Sequence, residues 1–227
     1  MRHAASAALD RHCHHDPFIT LVLSGGYVEA GDEGRRRVGP GDVLLHRAFE
    51  SHLDRFDNSG AEVLVLPLTT ALANVAPLAG TIADPDFIVR LAEKQPASAA
   101  RRLLDVIQPR AAIFDDWPDR LATDLGRLAP FSLGDWADQA GLRAETVSRG
   151  FRRAYGTSPK AFRATARARA AFAAIGSPGC NLSFVAADLG FADQAHMTHA
   201  VTSLTGSAPA SWRRASTGSA EPIIADD

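Results

Sequence analysis

Residues 141–159 read G-L-R-A-E-T-V-S-R-G-F-R-R-A-Y-G-T-S-P, and residues 190–209 read G-F-A-D-Q-A-H-M-T-H-A-V-T-S-L-T-G-S-A-P. Both stretches have a glycine, an apolar residue, a polar segment, and then a second glycine three residues before a proline. The segment between the two glycines is one residue longer in the second stretch. The repetition predicts two copies of one supersecondary unit, a helix-turn-helix, with an insertion at the start of the second copy's second helix.

Each copy is predicted to begin with a short helix that ends at a glycine. Gly141 and Gly190 lie where a helix ends in a left-handed residue, a conformation that glycine adopts at little cost. The apolar residues of this first helix recur at helical spacing: Leu133, Trp136, Ala137 and Ala140 in one copy, and Leu182, Val185, Ala186 and Leu189 in the other.

The second helix of each copy is predicted to bury one face and expose the other. The predicted buried residues are Val147, Phe151 and Tyr155, and then Met197, Val201 and Leu204. Arg143 and Ala192 stand where N-cap residues are expected, so both helices should begin without a side-chain acceptor. The exposed polar side chains suit phosphates and base edges, since a helix fits the major groove.

The charge distribution supports a nucleic-acid surface over an ordinary solvated helix face. Residues 131–215 carry ten Arg and Lys against five Asp and Glu, whereas the whole chain has a net charge of -2. A basic C-terminal module therefore lies within a nearly neutral chain, as expected of a DNA-binding domain.

From about Phe131 to Arg214 the residues resemble the arabinose-regulator (AraC/XylS) family of bacterial transcription factors. The resemblance implies two helix-turn-helix units that contact successive major-groove segments of duplex DNA, joined by a helix from Pro159 to about Ile175. The side chains predicted to contact DNA are Arg143, Glu145, Thr146, Ser148, Arg149, Arg152, Arg163, Arg167, Gln194, His196, Thr198 and His199. His199, Val201 and Ala208 depart from the family pattern, which puts the strength of the second unit in doubt.

The first seventy residues are predicted to form short antiparallel strands separated by turns. The predicted strands are Phe18–Ser24, Tyr27–Ala30, Arg35–Val38, Val43–His46, His52–Phe56 and Glu62–Leu68. The stretch V-G-P-G-D-V-L-L-H, at residues 38–46, resembles the cupin sensor domains that precede this DNA-binding module in many family members. The fold class is therefore α+β in two domains, an N-terminal antiparallel cupin-like β-barrel and a C-terminal all-α tandem helix-turn-helix.

Histidines are concentrated in the predicted barrel. His12, His14 and His52 are expected near an effector, because positions 12 and 14 of a strand point to one face. Cupin enzymes bind a metal through a His-x-His pair, a following acid and a later His, so the resemblance implies a candidate metal site at His12, His14, Asp16 and His52. Asp16 follows the histidine pair too soon for this pattern, and no metal ligand, cofactor or catalytic residue is assigned. Plain polar strand residues remain an alternative.

The domain boundaries are predicted at 1–70 for the sensor, 71–128 for a linker and helical connector, 129–215 for the DNA-binding domain and 216–227 for a disordered tail. Helical spacing occurs at Asp86–Lys94, Ala97–Ile107 and Asp119–Leu128. The apolar residues of the connector either make a homodimer contact or cover the barrel: Phe87, Leu91, Leu103, Leu104 and Ile107. The uncharged stretch Val63–Ala83 contains prolines and polar residues, so a strand and linker are expected there instead of a membrane span.

These patterns favour a DNA-binding transcriptional regulator that responds to a small-molecule effector and contacts the transcription machinery. Met1-Arg-His-Ala-Ala-Ser lacks an apolar signal segment, and the two cysteines make no disulfide framework, so a cytoplasmic protein without a membrane partner is expected. The alternatives are a metal-dependent cupin enzyme with a helical appendix and an interaction adaptor that has lost DNA readout. The enzyme is disfavoured because it does not need the repeated motif.

Overall fold

The computed structural model describes residues 1–75, 78–110, 114–177 and 179–212. The chain divides into two compact units, the first ending at Pro159 and the second beginning at Lys160. The first unit therefore contains the sheet together with the first helix-turn-helix, and the second unit contains the second helix-turn-helix. The tail predicted at 216–227 lies outside the described residues.

The first unit is built on one antiparallel sheet of eight strands. The strands are β1 (Arg2–His3), β2 (Ala8–Cys13), β3 (Phe18–Gly31), β4 (Gly34–Val38), β5 (Asp42–His46), β6 (Ser51–Pro67), β7 (Ala79–Thr81) and β8 (Gln108–Pro109). The order is β1-β6-β3-β5-β7-β8, with β2 paired to β6 and β4 paired to β3. The prediction of an antiparallel sheet is confirmed, but the pairings among the described strands do not close the sheet into the expected cupin-like barrel.

Two long strands replace four of the predicted short ones. The Gly25-Gly26 pair, interpreted from sequence as a turn, lies inside β3, where the register with β6 shifts on either side of it. Gly25 has φ +69, and a Cβ built there would lie 2.0 Å from the carbonyl oxygen of Gly60. Glycine is required at this position because the two backbones approach closely at an irregularity of the ladder.

Three helices follow the last long strand and pack on the sheet: α1 (Thr70–Val75), α2 (Pro85–Ala92) and α3 (Pro96–Val106). The Asp84 side chain caps α2 by accepting from the Phe87 amide, and prolines begin α2 and α3. Leu103 is fully buried against the sheet core, and Leu91, Leu104 and Ile107 pack against the same cluster. These four residues cover the sheet, whereas Phe87 remains 43% exposed.

The remaining helices of the first unit are α4 (Trp117–Gly126), α5 (Leu133–Gln139) and α6 (Ala144–Tyr155). Helices α5 and α6 are the predicted first helix-turn-helix, and Gly141 between them has the expected left-handed φ of +67. The indole nitrogen of Trp136 on α5 donates to Asp124 on α4 at 2.9 Å. Helix α4 thus holds the first helix-turn-helix within the unit.

The second unit consists of α7 (Pro159–Ile175), α8 (Leu182–Asp188) and α9 (Gln194–Thr205). The joining helix has the limits expected from the family resemblance, and its fixed-φ proline is its first residue. The core of this unit is made by Ala171, Ile175, Ala186, Phe191, Met197 and Val201. Among the described residues, no helix is both long and apolar enough to cross a membrane.

Candidate nucleic-acid interface and histidine-lined cavity

Helix α6 separates an apolar face from a polar one, as predicted. Val147, Phe151 and Tyr155 are fully buried. Gly156 ends the helix with φ +70. Ser148 is half-buried, and the other predicted DNA contacts on this helix are exposed: Arg143, Glu145, Thr146, Arg149 and Arg152. The N-cap Arg143 accepts no hydrogen bond with its side chain, which also agrees with the prediction.

Helix α9 differs from its prediction at both ends. The Asp193 side chain caps the helix by accepting from the His196 amide at 2.7 Å, so the prediction that this helix lacks a side-chain acceptor is wrong. The residue inserted in the second copy moves the N-cap past Ala192 onto Asp193. At the other end Thr205 is buried and Leu204 is only half-buried, while Met197 and Val201 are fully buried as predicted.

The predicted DNA contacts of α9 lie on its outer side. Gln194, His196 and His199 are exposed, and Thr198 is half-buried. The Ser183 hydroxyl on α8 donates to the Gln194 side-chain oxygen at 2.8 Å. The His196 ring stands edge-on to Phe191 with 5.3 Å between ring centres. The start of α9 is therefore fixed by cap and turn contacts, and its outer polar groups remain accessible.

Arg163 and Arg167 on α7 are both half-buried. The Arg167 guanidinium donates to the Gly190 carbonyl at 3.0 Å and lies 5.6 Å from the centre of the Phe191 ring. Arg167 therefore braces the turn of the second helix-turn-helix. This role was not evident from the sequence, and a DNA contact by either arginine stays a prediction.

The first helix-turn-helix is fixed to the sheet by a buried polar network. The Tyr155 hydroxyl donates to Asp119 on α4 at 2.8 Å. Asp119 also accepts two hydrogen bonds of 2.9 Å from Arg35 on β4. Arg11 on β2 donates to the Tyr155 carbonyl at 3.2 Å. Strands β2 and β4 thus both reach the C-terminal end of α6.

The charge state of this network follows from its contacts. Burial pushes the pKa of Asp119 up, but the side-chain hydrogen bonds with Arg35, Asp116 and Tyr155 and the charge of Arg35 together outweigh burial and set the pKa at about 2. Burial and the hydrogen bond to Asp119 raise the pKa of Tyr155 well above its ordinary value, so the phenol keeps its proton. The Asp119–Arg35 pair is therefore charged, and the Tyr155 phenol that donates to it is neutral, across the physiological pH range.

A cavity of about 480 Å³ opens beside strands β2, β3, β5 and β6. Its wall includes apolar residues such as Phe18, Tyr27, Phe56 and Val63. The polar residues of the wall are mainly histidines and acids, including His12, His14, His46, His52, Glu29 and Asp54. An apolar wall with a few convergent polar groups is typical of a small-molecule site.

The three histidines predicted near an effector meet in this cavity. His12 and His52 are direct cross-strand partners on β2 and β6. The ring centres are 4.5 Å apart for His12 and His52, 4.9 Å for His12 and His14, and 5.4 Å for His14 and His52. The structure therefore brings together the three side chains that the sequence analysis selected.

Three further polar groups of the cavity were missed as site residues. His46 lies with its Nε2 atom 3.6 Å from Glu29, and Asp54 lies with an oxygen 3.9 Å from Nε2 of His52. Inward-facing charge in an apolar, alternating strand could have indicated Glu29. Asp16, weighed as the acid of a metal site, is exposed and pairs with His15.

Burial disfavours the charged forms of four ionisable groups in the cavity. It lowers the pKa of His46 to about 3 and that of His52 to about 2, with neighbouring histidines adding to the effect. Burial raises the pKa of Asp54 to about 6 and raises that of Glu29. His46 and His52 are thus neutral imidazoles, each able to accept a hydrogen bond from a ligand.

Residues 136–215 match the family described as a helix-turn-helix domain (HTH_18). No curated protein matches the chain. Among solved structures, ToxT from Vibrio cholerae is 10% identical over 94% of this chain and 96% of that chain, with a TM-score of 0.42. A DNA-binding transcriptional dual regulator from Escherichia coli K-12 is 16% identical over 48% of this chain and 99% of that chain, with a TM-score of 0.43.

An AraC-type transcriptional regulator from Chromobacterium violaceum is 18% identical over 45% of this chain and 90% of that chain, with a TM-score of 0.40. Because these TM-scores lie below 0.5, the assignment rests on the domain match and on the two helix-turn-helix units. Residues 136–215 therefore match a helix-turn-helix domain, in agreement with the two helix-turn-helix units described above.

Proposed function

We propose that α6 and α9 recognise specific base pairs in an operator. The observation that carries this proposal is the division of both helices into a fully buried apolar face and an accessible polar face. On α6 the exposed Glu145 and Thr146 lie at the N-terminal end, the part of a recognition helix that contacts base edges. The residues assigned to base or phosphate contact on the two helices are Arg143, Glu145, Thr146, Ser148, Arg149, Arg152, Gln194, His196, Thr198 and His199.

Arg149 is the side chain on which sequence readout depends most in this proposal. Its exposed guanidinium can donate two parallel hydrogen bonds to the O6 and N7 acceptors of guanine. Arg163 and Arg167 act on the phosphate backbone or by holding the second unit in shape. Their contribution should therefore be the same for all DNA sequences.

The test is to select genomic fragments with the full chain and to measure affinity for the enriched site at several salt concentrations. Arg149→Ala should weaken that site by about 1–3 kcal/mol and relax the preference at one base pair. Arg167→Ala should weaken enriched and unrelated DNA alike, and Arg102→Ala, an exposed change on α3, should leave both affinities unchanged. Equal loss of specificity from Arg149→Ala and Arg167→Ala would refute the division of roles.

We further propose that the cavity binds a small-molecule effector near His12, His14 and His52. The volume, the apolar wall and the converging polar groups support a ligand of drug-like size. Strands β2 and β6, which carry these histidines, also contact the C-terminal end of α6 through Arg11 and Arg55, the latter donating to the Arg153 carbonyl. A ligand that alters these strands could therefore alter the first recognition helix.

An effector of this kind must change the affinity of the chain for the operator. The operator must then change the affinity of the chain for the effector by the same factor. The measurement compares operator binding with and without candidate compounds, followed by compound binding with and without operator. If a compound binds in the cavity but never alters the affinity for DNA, the proposal that the cavity binds an effector is wrong.

The remaining parts of the proposal concern partners and place of action. As a regulator the chain would act in the cytoplasm on double-stranded DNA and contact the transcription machinery, and no catalytic role is assigned to it. Homodimer formation would use exposed apolar surface, for which Phe87 on α2 is the candidate since its connector neighbours are packed on the sheet. Sedimentation of the full chain and of Phe87→Ser tests that contact.

A further inference from the structure

Two acidic side chains lie opposite each other at the wall of the cavity. Glu29 on β3 and Asp54 on β6 are direct partners in the antiparallel ladder, and both line the cavity. Only 5% of Glu29 and 7% of Asp54 is exposed. Like charges directly opposite each other on neighbouring strands are destabilising, and burial adds to the cost of each charge. The fold therefore places an unfavourable pair of carboxyl groups beside a space that a ligand can fill.

Two buried polar atoms beside this pair lack partners. One carboxylate oxygen of Asp54 and the Nδ1 atom of His52 have no hydrogen-bond partner among the described residues. The other Asp54 oxygen lies 3.9 Å from Nε2 of His52. With its proton on Nε2, toward Asp54, the neutral ring presents Nδ1 as an acceptor. Buried polar atoms without partners are uncommon and indicate a missing ligand, ion or water, and both of these atoms call for a hydrogen-bond donor.

The described part of the wall has no side chain with a permanent positive charge. None of the described residues that line the cavity is an arginine or a lysine. The terminal ammonium group of Met1, which belongs to the wall, donates to the Val63 carbonyl at 2.8 Å. Arg36 is the partner of Glu29 on β4 but does not line the cavity, and its charge compensates at most one of the two carboxylates. Burial raises the pKa of both carboxyl groups, and a cation beside them would favour their charged forms.

An apolar surface adjoins the two acids on the same face of the sheet. Tyr27 and Phe56 are also ladder partners, two residues away from Glu29 and Asp54 on their strands. Positions two residues apart in a strand share a face. The ring centres of Tyr27 and Phe56 are 5.1 Å apart, and both residues line the cavity. Aromatic rings attract ammonium groups as well as hydrocarbon, so this surface suits the body of a cationic ligand.

We propose that the cavity takes a small molecule with an apolar body and one protonated amine, and that Glu29 and Asp54 bind its ammonium group. The three N–H donors of a primary ammonium group match the two carboxylates and Nδ1 of His52. A ligand with a carboxylate head is rejected by repulsion from the same two acids. The proposal names the chemical class of the effector and therefore rests on the proposed effector function of the cavity.

The experiment titrates the isotope-labelled full chain with three probes of similar shape: 2-phenylethylammonium chloride, 2-phenylethanol and sodium 3-phenylpropionate. Hexylammonium chloride is a second ammonium probe with a flexible body. Amide chemical shifts of β3 and β6 report binding at the cavity. We expect both ammonium probes to bind there, and 2-phenylethanol to bind about tenfold or more weakly, since charge-assisted hydrogen bonds are stronger than neutral ones. Binding of 3-phenylpropionate should be weaker still.

Asp54→Asn removes one charge of the pair with little change of shape. It should weaken 2-phenylethylammonium binding by about tenfold or more and leave the affinity for 2-phenylethanol unchanged, which also shows that the cavity is intact. If this variant does not fold, Glu29→Gln gives the same comparison. Asp10→Asn is the matched control, because Asp10 is an exposed acid of β2 that does not line the cavity. Its affinity for the ammonium probes should equal that of the unaltered chain.

The assignment is overturned if 2-phenylethanol or 3-phenylpropionate binds as tightly as the ammonium probes, or if neither ammonium probe binds. Equal losses from Asp10→Asn and Asp54→Asn would overturn it as well. Repeating the titrations with operator DNA separates this proposal from the effector function. If the neutral or anionic probe binds in the cavity and alters operator affinity, the effector function stands and the ammonium class is wrong. If the ammonium probes bind without altering operator affinity, the ammonium site stands and the effector function is wrong.

Discussion

At the residue scale, Asp119 is the side chain through which the sheet holds the first helix-turn-helix. It is 94% buried and bonded to both Arg35 and the Tyr155 hydroxyl, groups that lie far from it in sequence. Hydrogen bonds to a buried charge are worth more than those between neutral groups, and leaving such a charge short of partners is costly. The position of α6 therefore depends on a few long-range polar contacts as well as on apolar packing.

Removing one of these contacts should cost measurable stability. Tyr155→Phe keeps the ring, which stacks on Phe151 at 4.7 Å, and deletes only the hydroxyl bond to Asp119. We expect the free energy of unfolding in urea to fall by about 1.5–3 kcal/mol. Asp57→Asn, which breaks the exposed pair with Arg37, should cost less than about 1 kcal/mol. Similar losses from the two changes would show that the Asp119 network adds no more than a surface ion pair.

The same carboxyl group should contribute to the acid sensitivity of the protein. Its pKa is about 2 in the folded chain against an ordinary 3.8, because the opposing effect of burial is outweighed by the hydrogen bonds with Arg35, Asp116 and Tyr155 together with the charge of Arg35. Its stabilising contribution is therefore complete above about pH 4 and is lost as the pH falls from about 4 to about 2. Asp119→Asn should be less stable at neutral pH and should lose less stability over that acid interval. Parallel acid-unfolding curves for the two proteins would contradict this.

At the element scale, α4 and α6 approach so closely that only a glycine fits on α6 at the contact. A Cβ at Gly150 would lie 2.4 Å from a ring carbon of Trp117, and the ring is held beside Trp136. Glycine lowers helix stability by about 1 kcal/mol relative to alanine, so its presence in the middle of α6 has a packing reason. The close contact of the two helices depends on this missing side chain.

Gly150→Ala should therefore destabilise the protein in spite of better helix propensity. Overpacking against Trp117 should cost about 1–3 kcal/mol, measured by urea unfolding. Gly134→Ala in α5 is the matched control, because the nearest atom to its Cβ would be the Ser132 hydroxyl at 3.8 Å. This change should stabilise, or leave stability unchanged. If both substitutions change the free energy of unfolding with the same sign and size, Trp117 moves to accommodate the added methyl group without cost.

The elements also show which parts of the fold the sequence can predict. The helix limits near Gly141, Pro159 and Gly206 follow from local signals, since glycine and proline favour specific backbone angles there. The Gly25-Gly26 pair was interpreted as a turn between two strands, but it forms an irregularity inside one strand. Glycine's preference for unusual backbone angles suits a bulge as well as a turn. The histidine group was found because a two-residue spacing shares one strand face. Glu29 and Asp54 were not found, because strands that are distant in sequence bring them next to His46 and His52.

At the scale of the whole molecule, the two helix-turn-helix units have different supports. The first has contacts from the sheet and α4, through Arg11, Arg35 and Trp117 to α6. The second has a core formed from α7, α8 and α9 alone. One repeated motif thus occurs in two compact units, one of which also contains the proposed ligand cavity. The proposed ligand cavity and α6 therefore belong to the same compact unit.

Removing the sheet should therefore affect the two units unequally. A fragment of residues 129–215 lacks Asp119 and Arg11, which are bonded to Tyr155 in the full chain, and Arg35, which is bonded to Asp119. Amide hydrogens of α6 should exchange about tenfold faster or more in the fragment, since a hydrogen bond to a buried charge is worth about 1.5–3 kcal/mol. Amides of α9, whose core is intact in the fragment, serve as the internal control and should exchange at the same rate in both proteins. Equal acceleration in both helices would indicate general unfolding of the fragment, and unchanged exchange in α6 would show that the sheet does not stabilise the first recognition helix.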